Sequence, residues 1–408
     1  MSSGLYSGFS DVAKQAMMQP QESMLEVRNR KNKLYIGIPR ETSFQENRIT
    51  LTPFSVALLV NNGHDVLLES NAGKAANFLD NHYSEQGAQI VYDHKQVYEA
   101  DIIIKVAPPT MAEIELMKPG QILISTLQTT TLKPECLQAM LNKKITCLAF
   151  EHLRDEGNVL SVVRAMSEIV GATSISIAAE YLSNVFGGKG LMLGGITGVP
   201  PTEIVILGAG TVGEYAARTA ISLGAEVKVF DPSIYKLRRL QNNIGSRVFT
   251  SVIQPIVLEK AITTCDVVIG AMRTEDGFSP CIVSESTVSR MKPNSVIIDV
   301  SIDQGGCFET SEVTNHTHPV FRKYDVIHYC VPNIASRVAR TATYALTNIF
   351  TPILLDIGEN GGINNVIWQK TGVRNAVYIY QGQLTNKHLS ERFNIPCKDL
   401  DLLIVSNR

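Results

Sequence analysis

The 408-residue chain is short of net charge, of aromatic residues and of clustered cysteine. A formal charge of -2 leaves no electrostatic case for nucleic acid as a partner. No apolar run approaches the ~18 uncharged residues that a membrane span needs, so no membrane partner is expected. Seven cysteines, Cys136, Cys147, Cys265, Cys281, Cys307, Cys330 and Cys397, are scattered without CxxC spacing. That pattern excludes a disulfide framework and points to a cytoplasmic compartment. His316 and His318 are alternate residues in a Pro-containing loop with no third ligand nearby, so no metal is expected. Against 7% aromatic residues stand 44% hydrophobic ones, enough for two domains with separate cores. Residues 1–32 are more polar, intersperse their few apolar residues and end in the charged run Arg28 to Asn32. They read as an N-terminal extension rather than a secretory signal.

What is present in quantity is glycine at informative places. Ile204-Val205-Ile206-Leu207 is a buried-strand pattern, and Gly208, Gly210 and Gly213 follow it into a helix that begins near Thr211 and stops at Gly224. The spacing assigns Gly208 to a tight turn, Gly210 to close approach of a pyrophosphate, and Gly213 to helix–strand packing. The helix N-terminus then offers free N–H groups and a positive dipole to the phosphates. A second strand, Glu226 to Phe230, ends at Asp231, whose carboxylate is placed to accept from both ribose hydroxyls and to repel a 2′-phosphate. NAD, rather than NADP, is the expected cofactor.

Around this unit, strand and helix alternate. Leu34 to Pro39, Asp65 to Leu68, Gln89 to Val91, Ile102 to Val106 and Ile122 to Ser125 read as strands of a first parallel sheet, and Asp266 to Gly270 and Ser295 to Val300 as further strands of the second. Met166 to about Phe186 and Ser336 to Asp356 have helical patterns long enough to bridge the domains. The expected fold is α/β: two Rossmann-like, doubly wound parallel-sheet domains joined by two long helices, with a cleft between them. Residues 33–165 and 340–408 form the substrate domain and residues 166–339 the NAD-binding domain.

Gly37-Ile38-Pro39-Arg40-Glu41, Asn47 to Pro53, Met166-Ser167-Glu168, the glycine fingerprint, Ile302 to Glu309 and Thr343 to Asn348 together resemble the family of alanine dehydrogenase and the NAD-binding part of nicotinamide nucleotide transhydrogenase. The resemblance implies NAD-dependent oxidation of L-alanine, or another small L-amino acid, to a 2-oxo acid and ammonium, by a homo-oligomer, hexamer or dimer. It implies that Arg48 clamps the substrate carboxylate, a role suited to its planar fork. It implies that Asp303 assists the ammonium or the attacking water, and that Ser167, Thr211, Val212, Asp231, Lys236, Asn333 and Ile334 contact the cofactor.

The chain departs from the dehydrogenases in two places. Their Lys-Val-Lys-Glu-Pro run is Lys105-Val106-Ala107-Pro108-Pro109 here, so the second, substrate-binding lysine is replaced and Lys105 is left as a substrate-binding candidate. Their catalytic histidine is matched by Gln128, which orients through hydrogen bonds but carries no proton near neutral pH. Losing a general acid/base costs ~10² to 10⁴ in rate. The alternative reading is therefore an NAD(H)-binding transhydrogenase-type subunit or a catalytically impaired regulatory homologue.

Overall fold

The structure is a computed structural model that describes residues 32–128, 132–273 and 279–406. Apart from Asn32, the N-terminal extension lies outside the described residues.

Runs of branched apolar residues build two sheets buried on both faces, the pattern that parallel strands covered by helices require. Six strands of the first sheet are β1 (Tyr35–Ile38), β2 (Asp65–Glu69), β3 (Gln89–Val91), β4 (Ile102–Ile104), β5 (Ile122–Ser125) and β6 (Thr146–Ala149). The second sheet contains β7 (Glu203–Leu207), β8 (Glu226–Phe230), β9 (Phe249–Ser251), β10 (Val267–Gly270), β11 (Val296–Asp299), β12 (Val320–Lys323) and β13 (Val326–Tyr329). Near the C-terminus, β14 (Val377–Tyr380) and β15 (Gln383–Leu384) return to the first sheet, whose order is β15-β14-β6-β5-β4-β1-β2-β3. The second runs β12-β13-β11-β10-β7-β8-β9.

Both sheets therefore contain the doubly wound order, reversing direction between β1 and β4 in one and between β7 and β10 in the other. Open α/β sheets place ligands at such points, beyond the carboxyl ends of the strands. Among the described residues the parallel pairing of the two sheets is interrupted only toward their edges, where β14 runs antiparallel to β6 and β15, and β12 antiparallel to β13. Sequence reading missed β6, β9 and these two edge hairpins: Thr146–Ala149 and Phe249–Ser251 lack the run of branched apolar residues that marks Ile102–Ile104, and the hairpins stand outside the alternation of strand and helix.

Alternate residues of each strand feed opposite cores. Ile36, Ile38, Leu68, Ile102 and Ile104 pack on one face of the first sheet and Leu67, Ile103, Leu123 and Cys147 on the other. Ile204, Ile206, Val227 and Val229 oppose Val205, Leu207, Val268 and Ile297 in the second.

The predicted helix from Met166 is realised as Ser161–Leu182, starting one turn earlier. Val162 and Met166 pack on the first core and Ile175, Ile177 and Ala178 in the second, so this helix crosses between the two. It is the one helix among the described residues long and apolar enough to span a membrane by length and composition. It is packed instead against the helix Thr211–Ser222, so closely that a Cβ on Gly171 would lie 2.4 Å from the Val212 carbonyl oxygen. The chain crosses back at residues 334–339: Ile334 belongs to the second core, and the long helix Ala339–Glu359 buries Leu346, Phe350, Leu354 and Ile357 in the first.

Candidate active site

The wall contributed by the second sheet begins where β7 runs into Gly208. That residue has φ +109°, and a Cβ there would lie 2.4 Å from the Ala271 carbonyl oxygen. A Cβ on Gly213 would meet the Gly208 carbonyl oxygen at 1.9 Å, so the first turn of the helix packs directly on the strand's end. Gly210 differs: nothing lies within 4 Å of a Cβ built on it. The open space lies at the N-terminus of Thr211–Ser222, where the first turn's N–H groups lack helical partners. A dinucleotide pyrophosphate fits that cradle of bare backbone and positive dipole.

Asp231, 2% exposed, already has work within the fold. Its Oδ2 accepts from the Ala209 N–H at 2.7 Å and its Oδ1 from the Ser233 N–H at 2.7 Å. It thus ties the glycine turn to the end of β8, and each oxygen retains a lone pair for a further donor. Lys236 sits half-buried in the next helix, its N–H capped by Ser233 Oγ at 3.3 Å. Ile334 is buried in the second core.

Between the sheets lies a cavity of about 290 Å³. Loops following β1, β5, β6, β10 and β11, with the Ser161–Leu182 helix, bring Arg48, Thr126, Glu151, Ser167, Arg273 and Asp303 to it. Val162, Met166, Val170, Val212 and Val300 supply apolar wall. Of the residues singled out in the sequence, Arg48, Ser167, Val212 and Asp303 are thus brought together. Burial raises the Asp303 carboxyl above its usual range, against the pull of its own backbone N–H and of Arg273.

Arg48 does not stand alone. Its Nε and Nη2 donate to Glu46 Oε1 at 2.7 Å and Oε2 at 2.6 Å, with the two side chains only 13% and 6% exposed. Burial pushes the Glu46 carboxyl up, but the guanidinium outweighs it and holds the group below its usual value. Because Glu46 takes the side edge of the guanidinium, the end edge remains, with Nη1 3.5 Å from Met166 Sδ at the cavity. Asn333, at φ +57°, donates from Nδ2 to Glu46 Oε2 at 3.0 Å, a link from the second sheet's loops to the first's. Its side chain thereby supports the clamp.

Two expectations meet a different geometry. Lys105 has no exposed side-chain surface: its Nζ lies 3.2 Å from Glu41 and 3.4 Å from Glu113, and donates to the carbonyls of Ala107 and Pro108. It is not among the residues lining the cavity, since an ammonium enclosed by two carboxylates and two carbonyls is held inside the fold. Gln128, exposed at φ +43°, likewise does not line it, and residues 129–131 after it lie outside the described residues.

Sequence reasoning passed over Glu151, Arg273 and Thr126 as site residues. Each follows the carboxyl end of a strand, β6, β10 and β5 respectively. The rule that ligands sit beyond strand ends flags all three, but for Glu151 it needs β6, whose Thr-Cys-Leu-Ala sequence has no run of branched apolar residues to mark it.

Comparison with known proteins agrees with this architecture. A family model described as Alanine dehydrogenase/PNT, N-terminal domain, matches residues 37–170, and one described as Alanine dehydrogenase/PNT, C-terminal domain, matches residues 174–387. Alanine dehydrogenase of Mycolicibacterium smegmatis is 37% identical over 372 residues, covering 90% of this chain and 98% of that protein. Alanine dehydrogenase of Methanococcus maripaludis is 38% identical over 365 residues, 89% of this chain and 97% of that protein. A solved L-alanine dehydrogenase superposes with a TM-score of 0.83 at 35% identity, covering 88% of this chain and 99% of its own. A transhydrogenase from Sinorhizobium meliloti shares the fold at a TM-score of 0.73 and 23% identity, covering 86% and 99%.

Proposed function

Because the chain belongs to the alanine dehydrogenase/PNT family, we propose that it is an NAD-dependent amino-acid dehydrogenase, converting L-alanine or another small L-amino acid to the 2-oxo acid and ammonium. The observation that carries this reading is the cavity between the sheets. A guanidinium from one side and a carboxylate from the other face a space of about 290 Å³, the scale of a small-molecule site.

In this reading the end edge of Arg48 receives the substrate carboxylate bidentately, and Glu46 with Asn333 holds the fork in place. Asp303 accepts hydrogen bonds from the substrate nitrogen, and it lines the cavity together with Val212 of the helix that follows the nucleotide-binding turn. Val162, Met166, Val170 and Val300 exclude water and limit the side chain to a small apolar group. The nicotinamide, with Gly208, Gly210, Thr211, Val212 and Gly213 under its dinucleotide and Ser167 at the cavity wall, would supply the acceptor for the hydride on the substrate Cα. NAD is favoured over NADP by the Asp231 carboxylate at the end of β8. The isolated cysteines suit a reducing cytoplasm, and the family likeness suits a homo-oligomer, hexamer or dimer.

The test mixes purified protein with NAD and a panel of L-amino acids, then with NADH, pyruvate and ammonium, and follows nicotinamide absorbance. Turnover on a small L-amino acid is the expected result. Calorimetric NAD binding without turnover on any of them overturns the dehydrogenase reading in favour of a regulatory or transhydrogenase-type NAD-binding subunit. Light scattering from the same preparation measures the oligomer.

A further inference from the structure

Oxidative deamination needs a group that takes and returns protons at the substrate, and Gln128 cannot do so near neutral pH. The structure supplies a carboxylate beside it. Glu151 sits in the short turn Phe150–His152 after β6, and it lines the same cavity as Arg48 and Asp303. Its Oε1 accepts from the Leu127 N–H at 2.6 Å and the Gln128 N–H at 3.2 Å. Its Oε2 is buried and has no hydrogen-bond partner among the described residues. A buried acceptor left without a donor calls for an explanation, because such atoms are paired in the great majority of proteins. Here the two amides hold one oxygen and so orient the carboxylate, leaving the other oxygen for a donor that arrives with the reaction.

We propose that Glu151 is the proton carrier of this site, in the role that Gln128 has vacated. The inference rests on the amino-acid dehydrogenase reading, in which NAD is the oxidant. After the substrate ammonium releases one proton to solvent and hydride leaves Cα for the nicotinamide, a water lone pair forms the new C–O bond to the iminium carbon while one water proton passes to Oε2. That proton is handed to the carbinolamine nitrogen. The C–N bond then breaks toward nitrogen as the hydroxyl proton returns to Oε2, and ammonia finally takes it to leave as ammonium. Glu151 ends as it began, and iminium plus water has become 2-oxo acid plus ammonium. Asp303, on the opposite wall, is left to stabilise positive charge on the nitrogen.

The variant E151Q separates the tether from the chemistry, because the Gln carbonyl still accepts from Leu127 and Gln128 while its NH₂ cannot take a proton. The expected result is a kcat reduced ~10² to 10⁴-fold with the amino-acid KM within about threefold, and loss of the acidic limb of the parent's pH–rate profile. The proposal is overturned if E151Q keeps the parent's kcat and pH profile, or if KM alone rises. Should E151Q lose its melting transition, E151D replaces it: a lower kcat at unchanged KM supports the role, and an unchanged kcat overturns it. A parent that turns over no amino acid overturns the dehydrogenase reading and this role together, whereas an active parent with an unaffected E151Q overturns only the latter.

Discussion

The two sheets share a doubly wound strand order, yet the loops at their carboxyl ends solve different problems. In the second sheet the decisive residues are glycines, and what matters is backbone: a positive φ at Gly208, a 1.9 Å collision avoided at Gly213, and open space at Gly210. In the first sheet the decisive residues are charged, and what matters is which partner each one finds. Arg48 is held by Glu46, Lys105 is enclosed by Glu41 and Glu113, and Glu151 keeps one oxygen unpaired. One topology thus carries a site defined by the absence of side chains and another defined by their pairing. The first tolerates no added atom at Gly208 or Gly213, and the second can exchange residues while the pairing is kept.

The largest test of this contrast is Arg48→Ala, which leaves the Glu46 carboxylate buried without its guanidinium, supported by the residue-48 N–H and the Asn333 amide. It is expected to lower unfolding free energy by about 3–5 kcal/mol, as breaking a buried pair does, and to abolish turnover. Denaturant melts and steady-state rates check both, and a variant as stable as the parent would show that the pairing is not what holds this wall. Next comes a matched pair on the glycine side. Gly213→Ala is expected to cost about 1–3 kcal/mol or more through overpacking. Gly210→Ala should leave the melt within about 0.5 kcal/mol and weaken NAD binding by about tenfold in calorimetry. If the two variants behave alike, the distinction between packing glycine and ligand glycine fails.

A smaller effect should appear with acid. Glu46 is held below its usual value of about 4.5, so its contribution to stability is full above that pH and is lost as pH falls through the depressed value. Urea melts between about pH 5 and pH 3 should therefore decline less steeply in Glu46→Gln than in the parent. The smallest effect is expected from Ala107→Lys, which restores the second lysine of the dehydrogenases. Ala107 is 5% exposed and Lys105 already occupies the Glu41 carboxylate, so the amino-acid KM should change by about threefold or less. A large gain would mean that this wall rearranges to release the new side chain into the cavity.

The reading of the nucleotide wall needed little beyond the chain itself. The spacing of Gly208, Gly210 and Gly213 between an apolar run and Asp231 is a local matter, decided within about thirty residues by steric limits on backbone. The interdomain helices were legible for the same reason, apart from an N-terminal end that the structure moves one turn earlier, to Ser161. Strands without a run of branched apolar residues, β6 and β9, and the edge hairpins outside the strand–helix alternation were not, and with β6 went the position of Glu151.

From its residue order alone, then, this protein was assigned an α/β fold with two doubly wound sheets, a dinucleotide turn and the family resemblance, because propensity, periodicity and glycine geometry act over short stretches of chain. Only the tertiary structure decided that Lys105 is enclosed, that Asn333 reaches across to Glu46, and that Glu151, which lines the cavity with Arg48 and Asp303, keeps one buried oxygen unpartnered among the described residues. Charges and hydrogen-bond donors choose partners by distance in space and by access to water, and residues hundreds of positions apart acquire both only when the chain has folded.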